Sequence, residues 1–281
     1  MKKLLLLLLA FGTMGTVNAQ ILTPAPSPAS KMEQMVGLTT VSLDYSRPSM
    51  KGRTIFGDLV PFGKLWRTGA NARTKVTFST DVVVDGTTLK AGTYAIFSVP
   101  AVDTWDIIFY TEFEGGGAPA NLDETKVAAR VKAEVNKFPF DVETFTIDIN
   151  NITTNGATLD IVWEKTAVGV PFTVPTDDIV LASLKKVMNG PTANDYYSAA
   201  VYYATTDKDI KQAKEWMDKA MSMVEKPAYW QLRQQSLIYA KAGDKKAAIE
   251  TAKKSLAGAE TAGNADYVKM NKDSLKEWGA M

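Results

Sequence analysis

The 281-residue chain contains no cysteine and no histidine. Without cysteine there are no disulfides, thiol nucleophiles or thiolate metal sites. Without histidine the usual general base, zinc ligand and serine-triad partner disappear together. Chemistry is left to carboxylates, Tyr, Lys, Arg and Ser/Thr, or to an oxygen-ligand metal site. Excess charge is missing too: 32 Lys+Arg stand against 31 Asp+Glu, a net of +1. Nucleic-acid binding needs a large basic footprint, so none is expected. No cofactor and no metal site are expected either.

The N-terminal apolar run, Leu4 to Phe11, is far shorter than the roughly 20 residues a membrane span needs. Lys2 and Lys3 precede it, and Val17-Asn18-Ala19 follow with small residues at the spacing a signal peptidase reads. Residues 1–19 are therefore expected to be a signal peptide cleaved before Gln20. Its loss removes two lysines and no acid, so the net charge goes from +1 to −1. The mature chain is expected to be exported and soluble, in the periplasm or associated with the outer envelope, without a transmembrane span. Export without disulfides suits a bacterial envelope. Residues 20–35 begin QILTPAPSPAS and read as an extended, Pro-rich leader without its own core.

From Val36 to Pro175 the texture is β. LTTVSLDYS (38–46), TKVTFSTDVVVDG (74–86), TYAIFSVPA (93–101) and TWDIIFYTE (104–112) are β-branched and aromatic, broken by turn residues. ETFTIDINN (143–151) and ATLDIVWEK (157–165) alternate and are joined by Thr154-Asn155-Gly156, which predicts a hairpin. VAARVKAEV (127–135) holds helix formers, but its two-residue alternation favours a strand. The pattern predicts an antiparallel β-sandwich or barrel-like domain over 36–175.

An all-α helical-hairpin domain is expected over 176–281. Thr176-Asp177-Asp178 predicts a helix start with Thr176 as the cap. Asn189-Gly190-Pro191 predicts its stop. Ala213, Met217 and Ala220 recur as Ala248, Ala252 and Ser255, 35 positions later. With Tyr239, Gly243 and Asp244 before the second set, this resembles the tetratricopeptide repeat. The resemblance implies a protein partner through residues 192–278. An ordinary helical bundle with small residues at its crossings is the alternative.

Charge is concentrated in one place. Residues 45–75 hold Arg47, Lys51, Arg53, Lys64, Arg67, Arg73 and Lys75 against Asp58, seven minus one or +6. Residues 20–175 as a whole carry 14 basic and 17 acidic side chains, or −3. Arginine offers a rigid fork of donors for carboxylate, phosphate or sulfate. Interleaved Gly and Pro predict a long ordered loop, a frequent carrier of function. Arg47, Arg53, Trp66, Arg67, Thr68, Asn71 and Arg73 are the candidate ligand-binding residues, for an anionic glycan or headgroup. In the structural alternative Arg47 pairs with Asp44, Arg53 pairs with Asp58, Trp66 plugs the core and Asn71 holds a turn.

DYSRPSMKGRTIFGDLVPFGKLWRTGAN (44–71), LKAGTYAIFSVP (89–100) and VGVPFTV (168–174) together resemble a family of exported Bacteroidetes proteins of unknown function. The resemblance covers about residues 30–175. It implies a bacterial envelope setting and supplies no activity and no catalytic residue. Relatives tend to follow Gly-Ala-Asn with an acid, whereas Ala72 and Arg73 follow here. The expectation is a non-catalytic envelope binding or assembly protein. One alternative is a glycan-active hydrolase using Asp44, Asp58 or Glu112, with Glu112 and Glu114 as a possible carboxylate pair. The other is a purely structural module.

Overall fold

The computed structural model describes residues 23–188 and 190–281. The expected signal peptide, the first residues of the leader and Asn189 lie outside the described residues. The fold is a nine-stranded antiparallel sheet followed by six helices. Two compact units divide it, one built on the strands and one on the helices.

The strands are β1 (Ala29–Val36), β2 (Thr39–Ser46), β3 (Lys75–Phe78), β4 (Val82–Val84), β5 (Thr87–Leu89), β6 (Gly92–Val99), β7 (Thr104–Tyr110), β8 (Val127–Asn150) and β9 (Gly156–Thr173). Their spatial order is β1-β2-β3-β6-β7-β8-β9-β4-β5. Alternation decides the ambiguous segment in favour of strand. Val131 and Ala133 are buried opposite Ile107 and Trp105, while Lys132 and Glu134 face out.

Two departures from the sequence expectation have simple causes. The sheet begins inside the leader, with β1 as an edge strand. Its half-buried positions are Ser30, Met32 and Gln34, too polar to announce a strand. The predicted strands 127–135 and 143–151 are one strand, β8, and β9 likewise continues to Thr173. β8 pairs with β7 through Glu134 and with β9 from Val135, and its register slips between Lys137 and Val142. A long strand that changes partners lets one sheet fold over its own core.

The chain after β2 helps to close that core. Tyr45 Oη donates to Ile147 O and accepts from Ile147 N, both at 3.0 Å. Met50 N donates to Glu143 O at 2.8 Å, and Phe145 N to Pro48 O at 2.9 Å. Trp105, Trp163, Phe97, Phe109 and Phe145 are among the largest fully buried side chains.

The helices are α1 (Thr176–Val187), α2 (Ala193–Thr205), α3 (Ile210–Ser222), α4 (Tyr229–Lys241), α5 (Lys245–Thr261) and α6 (Ala265–Glu277). Thr176 does not cap α1. Pro175 holds that position, and Thr176 Oγ1 instead donates to Thr154 O at 2.7 Å. Asp177 and Asp178 occupy the first turn as expected. α2 opens with a capping box between Thr192 and Asp195, and Asp209, Asp244 and Asn264 cap α3, α5 and α6. The predicted repeat positions are the helix crossings: Ala213, Met217, Ala220, Ala248, Ala252 and Ser255 are all fully buried. α2 packs on α3 and α4 on α5, so the repeat is a pair of helical hairpins with α6 against α5. The tyrosines of α2 go largely into packing. Tyr203 meets the Trp216 ring at 4.7 Å, and Tyr202 Oη donates to Asp177.

Gly37, between β1 and β2, has φ +56°. A Cβ there would stand 1.9 Å from Thr176 Oγ1 and 2.3 Å from Thr154 O. Gly37→Ala is expected to destabilise by about 2 kcal/mol or more, through clash and left-handed strain together. Chemical denaturation compared with wild type checks this.

Candidate functional site

The arginine-rich segment runs from the end of β2 to the start of β3 and is tied down at several points. Trp66 pairs with Ser98 of β6: Trp66 N donates to Ser98 O at 2.7 Å, and Ser98 N to Trp66 O at 2.9 Å. The Trp66 ring packs near-parallel to Trp163 at 6.1 Å and edge-on to Phe145 at 5.3 Å, as in the structural alternative. Thr68 is buried. Its Oγ1 hydrogen-bonds the Ser98 hydroxyl, and its carbonyl accepts from Thr74 Oγ1 at 2.5 Å. Asn71 adopts φ +57°, the turn role expected of it. Its Nδ2 donates to Ser27 O at 3.1 Å and Ser46 Oγ at 3.2 Å.

The four arginines separate by what satisfies them. Arg47 does not pair with Asp44. Its Nε donates to Phe145 O at 3.0 Å and its Nη2 to Thr146 Oγ1 at 2.7 Å, while Asp44 pairs with Lys31 at 3.2 Å. Arg53 does not pair with Asp58. Its Nε and Nη2 donate to the carbonyls of Met50 and Ser49, at 2.9 and 2.7 Å. Arg73 fixes the glycine-rich 114–119 loop, donating to Glu112 O at 2.6 Å and Gly117 O at 3.4 Å with its guanidinium over Phe97. Arg67 is different. Among the described residues no hydrogen bond or ion pair holds its guanidinium, and its Nε is buried without a partner.

Arg67 lines a cleft of about 370 Å³ together with Arg53, Trp66 and Trp163. Leu59, Val60, Leu65 and Ala118 supply apolar wall, and no Asp, Glu, Asn or Gln lines it. Of the predicted site residues the cleft therefore gathers Arg53, Trp66 and Arg67. Arg47, Thr68, Asn71 and Arg73 do not line it and are engaged in bonds to the protein itself. Sequence reasoning missed Trp163 and Ala118, which come from β9 and the 114–119 loop. The tryptophan in the alternating run of β9 was the available signal.

The candidate acids are elsewhere. Asp44, Asp58 and Glu112 do not line the cleft. Glu112 takes a hydrogen bond from Lys126 Nζ at 2.5 Å, and that bond holds its carboxyl below the ordinary range, opposite to what a general acid needs. Glu114 pairs with Lys75 at 2.7 Å. A more open cavity of about 570 Å³ is lined by Lys31, Glu33, Asp44, Lys75 and Glu114, of which Lys31 pairs with Asp44 and Lys75 with Glu114. Among the described residues no group of three or more Asp and Glu could hold a metal ion. No described helix is long and apolar enough to cross a membrane.

A family model described as "Protein of unknown function (DUF2911)" matches residues 27–172, and the chain belongs to that family. Neither a curated protein nor a solved structure matches it.

The bonding pattern separates brace from site. Asn71→Ala is expected to lower stability by about 1 kcal/mol, since two hydrogen bonds and a side chain tolerant of left-handed backbone are lost. Arg67→Met is expected to leave stability unchanged or raised, because it removes a buried donor that nothing in the protein satisfies. Urea unfolding of both variants beside wild type measures the difference.

Proposed function

We propose that this DUF2911-family chain is a non-catalytic binding protein of the bacterial envelope, whose β unit holds an anionic group in the Arg67 cleft. The carrying observation is the Arg67 guanidinium, which no described protein group holds by a hydrogen bond or ion pair, in a cleft without an acidic side chain. Nε itself is sealed from the cleft, so an anion there would be held through the Nη1 and Nη2 ends, which can give one carboxylate or oxyanion two parallel bonds. Arg53 adds positive charge on the same cleft wall. A purely structural role would have given Arg67 an internal acid or carbonyl, as its three neighbours have.

The hydrolase reading has less support, since its candidate acids stand outside the cleft and Glu112 is engaged as a counterion. The envelope setting rests on the signal-like N-terminus and the missing cysteines. The helical unit, residues 192–278, is proposed to dock a protein partner. Trp230 on α4, 48% exposed, is the kind of residue that anchors such contacts.

Calorimetric titration of residues 20–281 with acetate, sulfate, phosphate and glucuronate tests the anion site. Saturable binding of at least one anion is expected, weakened tenfold or more by Arg67→Met. Equal binding by wild type and variant would sink the proposal. For the helical unit, Trp230→Ala is expected to reduce co-purification of a partner from envelope extract while leaving the melting temperature in place.

A further inference from the structure

The donors and acceptors of the cleft restrict the ligand further, on the premise that it binds an anion at all. Trp66 Nε1 is committed to Gly69 O at 3.2 Å, and Trp163 Nε1 to Glu143 O at 3.2 Å. Neither indole N–H is left for a ligand, so both tryptophans offer ring surface alone. Arg53 has two nitrogens committed to carbonyls. That leaves one unengaged fork, Arg67, in a cleft walled mainly by aliphatic and aromatic groups, with Ser27 as its one uncharged hydroxyl side chain.

A saccharide fits this poorly. Each sugar hydroxyl carries a donor, and a site that recognises sugar needs side-chain carboxylates or amides to accept from it. The cleft has none, and the single Ser27 hydroxyl cannot accept from all the hydroxyls of a sugar, so some of them would go unpaired. A free dianion fits less well, because it would give up hydration for one unengaged guanidinium and for Arg53, two of whose nitrogens are committed to carbonyls. A carboxylate satisfies the single fork with two parallel bonds. Its remaining body should then be apolar, so that it lies against Leu65, Val60 and the two indoles. A volume of about 370 Å³ is near the lower end of the ~300–1,000 Å³ typical of ligand clefts, which limits that body to a short one.

We infer that the Arg67 cleft takes a monocarboxylate on a compact apolar body, presented either as a free short-chain or aryl acid or as the C-terminal residue of a peptide. The experiment is isothermal titration of residues 20–281 with 3-phenylpropionate, 3-phenylpropionamide, glucuronate and sulfate. An acetylated Ala-Ala-Phe peptide is added, with its C-terminus either free or amidated. Two variants run alongside, Arg67→Met to remove the fork and Leu65→Gln to make the wall polar.

The expected result is that 3-phenylpropionate binds at least tenfold tighter than glucuronate, sulfate and its own amide. Arg67→Met should abolish that preference, and Leu65→Gln should weaken phenylpropionate severalfold while sparing sulfate. Tighter binding of the free-acid peptide than of phenylpropionate assigns the carboxylate to a chain terminus; the reverse order assigns it to a free acid. Arg67-dependent binding of glucuronate or sulfate that equals or exceeds phenylpropionate overturns the apolar-carboxylate class and leaves the anion site standing. Binding of no probe, or binding indifferent to Arg67→Met, overturns both.

Discussion

A cluster of rings carries the arginine-rich loop. Trp66 lies against Trp163, and Phe145 meets both edge-on, at 5.3 and 5.6 Å. Phe56 joins from the same loop, 6.1 Å from Trp66 and 4.8 Å from Trp105. A segment rich in Gly and Pro has little local reason to hold one conformation, and ordering each residue costs roughly 1–2 kcal/mol of backbone entropy. Ring contacts of this kind contribute about 0.5–1.5 kcal/mol each beyond the area they bury. Burial of Phe56 and Trp66 therefore fixes two points of the loop to strands β7, β8 and β9. The stretch between them inherits its position from that attachment, and Arg67 follows directly on Trp66, the second anchor.

The loop is also held in a conformation its residues would not choose. Thr68 is β-branched yet has φ +55°, a region such residues avoid at a cost of roughly 1–3 kcal/mol. It stays there because its hydroxyl is bonded to Ser98 and its carbonyl to Thr74. The strained residue is the immediate neighbour of Arg67. The strain is thus held in place by several bonds, beside a side chain with no bond of its own.

Much of the fold was legible because it rests on periodicity. The two-residue alternation marked β2 and the β8–β9 hairpin, β-branched and aromatic content between turn residues marked β6 and β7, and the 35-residue recurrence marked the helix crossings. Trp66 as a core plug and Asn71 as a turn residue were also readable, since residue type alone restricts where each can sit. β1 was not readable: an edge strand with Ser30, Met32 and Gln34 on its covered side has no apolar stripe. The arginine partners were misread for a related reason. Asp44 and Asp58 are near in sequence and carry the right charge, but Arg47 and Arg53 are satisfied mainly by backbone carbonyls. Every residue has a carbonyl, so sequence cannot say which one an arginine will find.

The same accounting bears on binding against catalysis. A site that moves a proton needs a group able to give or take one beside the reacting atoms. Glu112 and Glu114, the candidate carboxylate pair, serve as counterions to Lys126 and Lys75. Arginine stays charged at any ordinary pH and offers donors only. A cleft that combines an unpaired arginine, ring faces and aliphatic walls can hold charge still and desolvate what is attached to it. It has no side chain suited to proton transfer. The chemistry left after histidine and cysteine are removed is thus narrowed again by where the carboxylates lie.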